Sequence, residues 1–345
     1  VPLETPLGSH GFLGLVLSRP RIFTREHRLV LQAGATYYIS AALVLPSGAQ
    51  IIGNGATITT HSSWNDSGVD PDDRTVSMLR IRGAVTGTVN TTLAATYPRG
   101  AKTITVASAT GIAAGMRLRL SGSYASVPPT GDSYSGDVVE IVEVAGSYVS
   151  GTSVPLTAPT VLHHASGSAV QSCTPVDGID IRDLCITAGA KTVPSAIEQT
   201  NCIDVRLHRL VTSGFTRADV GTRGAHDVTV TDWLMLGGSN GGLRASASHR
   251  VHVYDAFWTG VDGRQHASGI TRHVVMIDEM CTNVQLRGFS VRHAAGALRI
   301  WGSHDCGCDG FDWLDLDGTR IINDAPSAER VTGDPGSSIG IAFDG

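Results

Sequence analysis

The sequence predicts an all-β protein: a right-handed parallel β-helix with a small antiparallel β domain inserted into it. Three observations indicate this fold. A strand pattern returns about every 23 residues in the C-terminal half, its strands are short and alternate apolar with polar residues, and no stretch has the apolar spacing of an amphipathic helix. A repeat of this length cannot bury its own apolar face, so successive repeats must stack on one another.

The repeat consists of columns of residues that stay in register from unit to unit. An apolar, polar, apolar core recurs six times, with its apolar positions at 179/181, 205/207, 228/230, 251/253, 284/286 and 306/308. A second apolar column lies eight residues before the last five cores, at Ile197, Val220, Leu243, Met276 and Leu298. A mostly polar column precedes each core and predicts a turn, at Gly178, Asp204, Asp227, Arg250, Asn283 and Asp305. In this alignment Cys306 and Cys308 take inward positions, which argues against a metal pair.

The spacing of the strand patterns divides the chain into three parts. We expect an N-terminal segment and the first coils over residues 1–91, an inserted β domain over 92–172 and the main coils over 173–345. The insertion is predicted from "KTITVA", "MRLRLSG", "DVVEIVEV" and "SVPLT", which Gly-, Ser- and Pro-rich turns connect. The closing "SIGIAFDG" is typical of the opening strand of another coil, so we expect the natural protein to continue.

Composition excludes several classes of function. The 345-residue chain has a net charge of -5 and no cluster of five or more Lys/Arg, which argues against a nucleic-acid partner. No apolar run approaches the roughly 20 residues of a membrane span, so we expect no membrane insertion. The six cysteines form neither a CxxC pair nor a zinc spacing, and no phosphate-, dinucleotide- or calcium-binding motif is apparent. We therefore expect reduced buried thiols, no metal and no cofactor.

One run of sequence resembles a known superfamily. "VLQAGATYYISAALVLPSGAQIIGNGATI" from residue 30, an inserted β domain and then "VDGIDIRDLCI" from residue 176 resemble the pectate-lyase-like β-helix superfamily, and more narrowly the tailspike depolymerases of bacteriophages and prophages. The resemblance implies a homotrimer in a virion tail, or alternatively a secreted bacterial enzyme, that recognises or cleaves bacterial surface polysaccharide. It transfers no catalytic residues, because the paired-aspartate and lysine/arginine patterns of characterised families are absent.

Side chains beside the second apolar column form two candidate binding rows. If that column faces inward, the outward rows are Glu198, Gly221, Arg244, Ile277 and Arg299, then Thr200, Arg223, Ser246, Glu279 and Trp301. Arginine binds anionic groups and an indole can stack on a sugar. We therefore predict substrate binding by the following residues: Glu198, Arg223, Arg244, Arg299, Trp301 and, from a loop, Arg264.

A second outward face is predicted along the core strands. It begins with Asp180 and Arg206 and could bind sugar or form a subunit interface. Asp183, Asp232 and Asp255 recur four residues after the cores and are predicted to form turns.

A loop, "GVDGRQHASGITRH" at 260–273, lengthens one coil to 33 residues and precedes "MIDEM". Glycoside hydrolysis requires two carboxyl groups, about 5 Å apart for retention or roughly 6.5 to 9.5 Å for inversion. Glu279 and Asp262 are the predicted pair, with Asp278 or Asp255 as substitutes. In this alignment Asp278 falls on the inward side, where it would be structural or have a shifted pKa.

Three functions stay open at this point, with hydrolysis favoured. A lyase would use His266 or His273 as the base, with Arg244, Arg299 or Arg264 stabilising the enolate. A lysine base is disfavoured, because the chain contains only two lysines. The third possibility is a receptor-binding tail protein without catalysis, in which the long loop is purely structural.

Overall fold

The computed structural model describes residues 11–12, 27–64, 76–125, 135–189, 191, 193–238, 241–261, 273–278, 281–288, 290–292, 296–301, 314–315, 320–321 and 341–344. Within these ranges the regular secondary structure consists of β-strands, numbered here β1 to β26. No membrane-spanning helix occurs in this part of the chain.

Most strands belong to two parallel sheets. The twelve-stranded sheet contains β1 (Gly11–Phe12), β2 (Arg28–Val30), β3 (Thr36–Ile39), β5 (Gln50–Thr60), β13 (Val176–Thr187), β15 (Cys202–Phe215), β17 (His226–Gly238), β19 (His249–Val261), β21 (Thr282–Arg287), β22 (Ser290–Arg292), β24 (Leu314–Asp315) and β25 (Arg320–Ile321). The eight-stranded sheet contains β4 (Leu43–Val44), β6 (Ser77–Arg82), β14 (Ser195–Thr200), β16 (Val220–Arg223), β18 (Leu243–Ser246), β20 (His273–Asp278), β23 (Gly296–Trp301) and β26 (Ile341–Asp344).

The chain alternates between a long bent strand of the first sheet and a short strand of the second. The predicted cores pair in register through five successive coils, at Ile179, Val205, Val228, Val251 and Val284. Their spacings of 26, 23, 23 and 33 residues are therefore the lengths of successive turns of the chain. This arrangement confirms the predicted parallel β-helix.

Two columns of left-handed backbone bend the long strands. The column before the cores has φ between 52° and 72°, at Gly178, Asp204, Asp227, Arg250 and Asn283. The column after the cores has φ between 48° and 64°, at Asp183, Arg209, Asp232, Asp255 and Gly288. Gly, Asn and Asp tolerate this region best, which explains why both columns are mostly polar or glycine. The turn role predicted for the three aspartates of the second column is confirmed.

Ion pairs join these corners from one coil to the next. Arg209 donates to both carboxylate oxygens of Asp183, with Nε–Oδ1 at 2.5 Å and Nη2–Oδ2 at 2.8 Å. Arg250 makes the same two-pronged contact with Asp227, with Nη2–Oδ2 at 2.6 Å. The hydrogen bond from Arg209 lowers the pKa of Asp183. Because these pairs are at the surface, each stabilises the fold only weakly.

Apolar side chains fill the interior of the helix as continuous ladders. Trp233 and Trp258 are 1% and 0% exposed, and their rings meet edge to face with centroids 5.2 Å apart. The Trp233 indole Nε1 donates to Thr212 Oγ1 at 2.8 Å, which satisfies the polar atom of a buried ring. Cys173 and Cys202 are buried free thiols, as expected.

The inserted domain consists of small antiparallel sheets. One contains β7 (Ala84–Thr92), β9 (Arg117–Ala125), β10 (Ser135–Glu143) and β12 (Ala169–Thr174), and the other contains β8 (Thr103–Thr105) and β11 (Ser153–Pro155). Its strands thus extend from Ala84 to Thr174, slightly beyond the boundaries of 92–172 that the sequence suggests. It has an apolar core of its own, which includes Ile104, Leu118 and Val170.

Hydrogen bonds and ion pairs connect the inserted domain to the coils. The Ile141 N–H donates to His226 Nε2 at 3.3 Å, and Arg117 Nη1 lies 3.1 Å from Asp177 Oδ2. The His226 and His249 rings pack edge to face at 5.8 Å. Burial lowers the pKa of His226, and burial together with the neighbouring His226 and Arg250 lowers that of His249 to about 3. Neutral imidazole is the form that can accept the Ile141 hydrogen bond.

One expected register is wrong by a single residue. Val275, not Met276, pairs with Leu243 and Leu298 in the eight-stranded sheet. From Leu243 to the next core is eight residues, whereas from Val275 to Val284 is nine. Because side chains alternate with period two, this extra residue moves every side chain of β20 to the opposite face from the one expected.

The last predicted core is also misplaced. Val284 pairs with Leu314, so neither Cys306 nor Cys308 occupies the predicted position in the ladder. That coil is 30 residues long, and its extra residues lie between β23 and β24, whereas those of the preceding coil lie between β19 and β20. The loop at 260–273 is therefore one of two successive lengthened coils.

We expect the two buried histidines to make folding sensitive to moderate acid. Their folded-state pKa values lie below the ordinary value, so the unfolded chain binds protons first and stability is lost as pH falls. The free energy of unfolding should decrease between about pH 6.5 and 4.5, above the range in which most carboxylates titrate. The double variant His226→Gln, His249→Gln should show a flatter profile in denaturant titrations. An unchanged slope would contradict this assignment.

Candidate functional site

Two rows of residues run across the strands of the eight-stranded sheet. The Glu198 row comprises, in register, Arg80, Glu198, Gly221, Arg244, Met276, Arg299 and Ala342. The Arg223 row comprises Arg82, Thr200, Arg223, Ser246, Asp278, Trp301 and Asp344.

Burial shows which face these rows occupy. In β14, Ile197 and Gln199 are 0% exposed, whereas Glu198 and Thr200 between them are half-buried. This alternation places the two rows on the outer face of the sheet. Five of the six substrate-binding residues predicted from the sequence, all except Arg264, therefore share register positions on one face.

The register of β20 changes which carboxylate belongs to this face. Asp278, rather than Glu279, pairs with both Ser246 and Trp301 and so lies in the Arg223 row. The expected inward position of Asp278 is therefore wrong. Ile277, expected on the outer face, pairs with Ala245 and is 1% exposed, as an inner residue should be.

The remaining predicted catalytic residues are not brought together with Asp278 in the part of the chain that is described. Asp255 occupies an exposed left-handed corner of the twelve-stranded sheet, with its Oδ1 next to Gly288. Asp262, Arg264, His266 and Glu279 lie outside the described residues. The pairing proposed for Glu279 and Asp262 thus stays a prediction.

The second outward face predicted for the core strands is in register through five coils. Its first row is Asp180, Arg206, Thr229, His252 and Gln285. Hydrogen bonds between coils order it, from His208 Nδ1 to Thr231 Oγ1 at 2.7 Å and from the Tyr254 hydroxyl to Gln285 Oε1 at 2.9 Å.

A cleft opens on the outer face of the eight-stranded sheet. It encloses about 250 Å³, part of which is open to solvent, and is lined by Glu198, Arg217, Ala218, Gly221, Thr222, Arg223, Arg244 and Ser246. A Cβ atom on Gly221 would lie 2.1 Å from Glu198 Oε2 and 2.8 Å from its Cδ. The Glu198 carboxylate therefore lies directly over Gly221, in space that any larger residue would take. The sequence gave no sign of this contact, since it joins residues 23 positions apart.

The cleft is positively charged although the chain is acidic. Three guanidinium groups and one carboxylate line it, and Arg80 lies in register with Glu198 on the next strand. The net charge of the whole chain is -5. Among the described residues no group of three or more His, Cys, Asp or Glu could hold a metal ion. The arrangement is therefore suited to anions rather than cations.

A buried acid lies directly beside the cleft and was not singled out in the sequence. Asp219 is 0% exposed, and burial raises its pKa to about 8, with the nearby Thr212 hydroxyl acting in the opposite sense. Within the described residues neither carboxyl oxygen meets the geometry of a hydrogen bond, so we regard the Thr212 contact as weak. Asp219 is consequently neutral at pH 7 and does not cancel the positive charge of the cleft.

A matched pair of glycine substitutions should separate a flexible contact from a rigid one. In Gly221→Ala the new methyl group meets the movable end of Glu198, so we expect a change in unfolding free energy within about 1 kcal/mol and a displaced carboxylate. In Gly53→Ala the methyl group would lie 2.2 Å from the Asp183 backbone oxygen, and we expect a loss of roughly 2 to 3 kcal/mol. Denaturant unfolding and a crystal structure of Gly221→Ala check both. Equal losses would show that Glu198 cannot move aside.

Asp219 should make the fold less stable as pH rises. Its folded-state pKa of about 8 lies above that of an unfolded aspartate, so the unfolded chain releases a proton that the folded chain retains. The stability of the wild type relative to Asp219→Asn should therefore fall between about pH 4 and 8 and then level off. Denaturant titrations of both proteins across this range measure the difference. A difference independent of pH would mean that Asp219 is ionised in the fold.

No protein-family model matches the chain, and no curated protein sequence matches it either. In fold it is similar to the tailspike protein gp49 of Pseudomonas phage LKA1, with 15% identity and a TM-score of 0.57 over 86% of this chain and 52% of that one.

Two further phage proteins align less well. The tailspike gp61 of Pseudomonas phage phi297 has 14% identity and a TM-score of 0.49 over 92% of this chain and 57% of that one. The Gp54 tailspike of Acinetobacter baumannii bacteriophage AP22, in complex with A. baumannii capsular saccharide, has 12% identity and a TM-score of 0.43 over 86% and 53%. The chain spans about half the length of these tailspikes. At such identities the likeness is one of fold, and the match to gp49 identifies this chain as a tailspike-like parallel β-helix.

Proposed function

We propose that the chain is the β-helical body of a phage-type tailspike depolymerase, which binds a bacterial surface polysaccharide and cleaves it. The observation that carries the proposal is the pair of polar rows on the eight-stranded sheet, with a cleft between them. Rows repeated at the inter-strand spacing of about 4.8 Å suit an extended polymer better than a compact ligand. The shared fold with the gp49 tailspike supports the same reading.

Hydrolysis by two carboxyl groups is the mechanism we favour, with Asp278 as the sheet carboxyl. Glu198 is a poor partner for it, because three inter-strand steps separate β14 from β20, about 14 Å along the helix axis. That exceeds the roughly 9.5 Å of an inverting enzyme. Glu279 follows Asp278 directly in the chain, and Asp262 lies in the segment before β20. We propose that one of these two supplies the second carboxyl.

The chemistry then divides between the two carboxyl groups. The protonated one donates its proton to the glycosidic oxygen as the bond breaks, and the ionised one either activates water or attacks the sugar carbon. Trp301, in register with Asp278, would stack on a sugar ring, and Arg299 would contact its polar substituents. In this scheme Asp255 keeps its corner role.

Elimination from a uronate polymer is the second candidate, favoured by the density of arginines around the cleft. A lyase abstracts a proton next to a uronate carboxylate and stabilises the resulting negative charge with cations. His266 would then act as the base with Arg244, Arg299 or Arg264. Either enzyme would be part of a virion tail and assemble as a homotrimer, with the twelve-stranded sheet available as a subunit interface.

We expect Asp278→Asn to reduce cleavage of a susceptible capsular polysaccharide by at least about a hundredfold, because the amide can neither donate a proton nor act as a base. Glu279→Gln should do the same if it is the second carboxyl. Released reducing ends measure hydrolysis, and an added rise in absorbance near 230 nm would indicate elimination instead.

The matched control is Asp232→Asn, on an exposed corner where asparagine also tolerates left-handed backbone. It should leave cleavage unchanged. Full activity in both Asp278→Asn and Glu279→Gln would refute the proposed carboxyl pair. Polysaccharide binding without any cleavage by the wild type would leave a receptor-binding tail protein.

A further inference from the structure

We infer that the cleft over Gly221 is an anion subsite that binds the carboxylate of an acidic sugar residue. The inference rests on the proposed binding of polysaccharide to this sheet and adds the chemical class of the substrate. Its argument uses the charge, the shape and the position of the cleft.

The charge of the cleft is positive whatever ion pairs form within it. Arg217, Arg223 and Arg244 line it together with one carboxylate, that of Glu198. One carboxylate can neutralise at most one of three guanidinium groups, so an excess of two positive charges remains for a ligand. The next acid along the chain, Asp219, is buried and neutral at pH 7 and adds no negative charge.

The shape and chemistry of the cleft fit a sugar acid better than a simple ion. Guanidinium groups bind carboxylates through two parallel hydrogen bonds, whereas the ammonium group of lysine acts as a point charge. Glu198 supplies acceptors for sugar hydroxyl groups, and Gly221 leaves the space in which its carboxylate lies. Glycine inside a strand often marks the close approach of another group.

The position of the cleft relates it to cleavage. Arg244 lies on the strand adjacent to β20, and Arg223 lies on the strand beyond it. These steps correspond to about 5 Å and 10 Å along the helix axis from Asp278. The acidic sugar would therefore occupy a subsite next to the bond that is cleaved rather than at the bond itself.

The test is an NMR or calorimetric titration with three sugar acids, D-glucuronate, D-galacturonate and N-acetylneuraminate, and with neutral glucose and galactose. We expect at least one acid to bind, each neutral sugar to bind at least tenfold more weakly, and added salt to weaken the binding. Arg244→Gln and Arg223→Gln should each weaken it tenfold or more. Arg244→Lys should recover only part of the loss, because it keeps the charge but not the planar fork.

The matched control is Arg206→Gln, an exposed arginine of the twelve-stranded sheet paired with Asp204, which should bind the acids as the wild type does. Circular dichroism of each variant verifies folding. Equal binding by wild type, Arg244→Gln and Arg223→Gln would overturn the inference. So would acetate binding as tightly as the sugar acids, which would leave only an unspecific anion site.

The two proposals fail in different ways. Cleavage of a neutral polysaccharide at an undiminished rate by Arg244→Gln would overturn the subsite and leave the depolymerase intact. Arginine-dependent binding of a sugar acid by a chain that cleaves no polysaccharide would support the subsite and refute the catalytic proposal.

Discussion

The hydrogen bonding of each coil to the coils above and below is the constraint on which the rest of this molecule depends. Backbone groups of β15 find their partners on β13 and β17, so each residue shares its environment with the residues in register with it. An inward position must be apolar in every coil, and a corner position must accept left-handed backbone in every coil. The columns of the sequence are the direct result.

The same constraint concentrates charge on one face of an acidic protein. Stacking places residues from distant parts of the chain side by side, so that Arg223 and Arg244 become neighbours of Glu198. Burial next to this face raises the pKa of Asp219 to about 8, so that this acid stays neutral. The positive potential therefore arises from two causes: arginines in register, and the silencing of a carboxyl group by desolvation.

Sequence columns predicted the fold wherever coil length was constant. The cores at Val205, Val228 and Val251 were placed correctly because 23 residues separate each from the next. The prediction failed at β20, where one additional residue before Val284 exchanged Met276 for Val275 and brought Asp278 to the outer face. No periodicity argument detects such a slip, because both registers place apolar residues inward. The cleft was equally hidden, since the contact between Glu198 and Gly221 exists only after stacking.

The two lengthened coils show where this architecture can change. One adds residues between β19 and β20 and the other between β23 and β24, yet the strands on both sides remain paired. Closing a longer loop costs conformational entropy that grows only with the logarithm of its length. Segments that join the sheets can therefore diversify while the stacked body is conserved. Recognition of a new glycan and stability of the scaffold are then separable traits, which natural selection can alter one at a time.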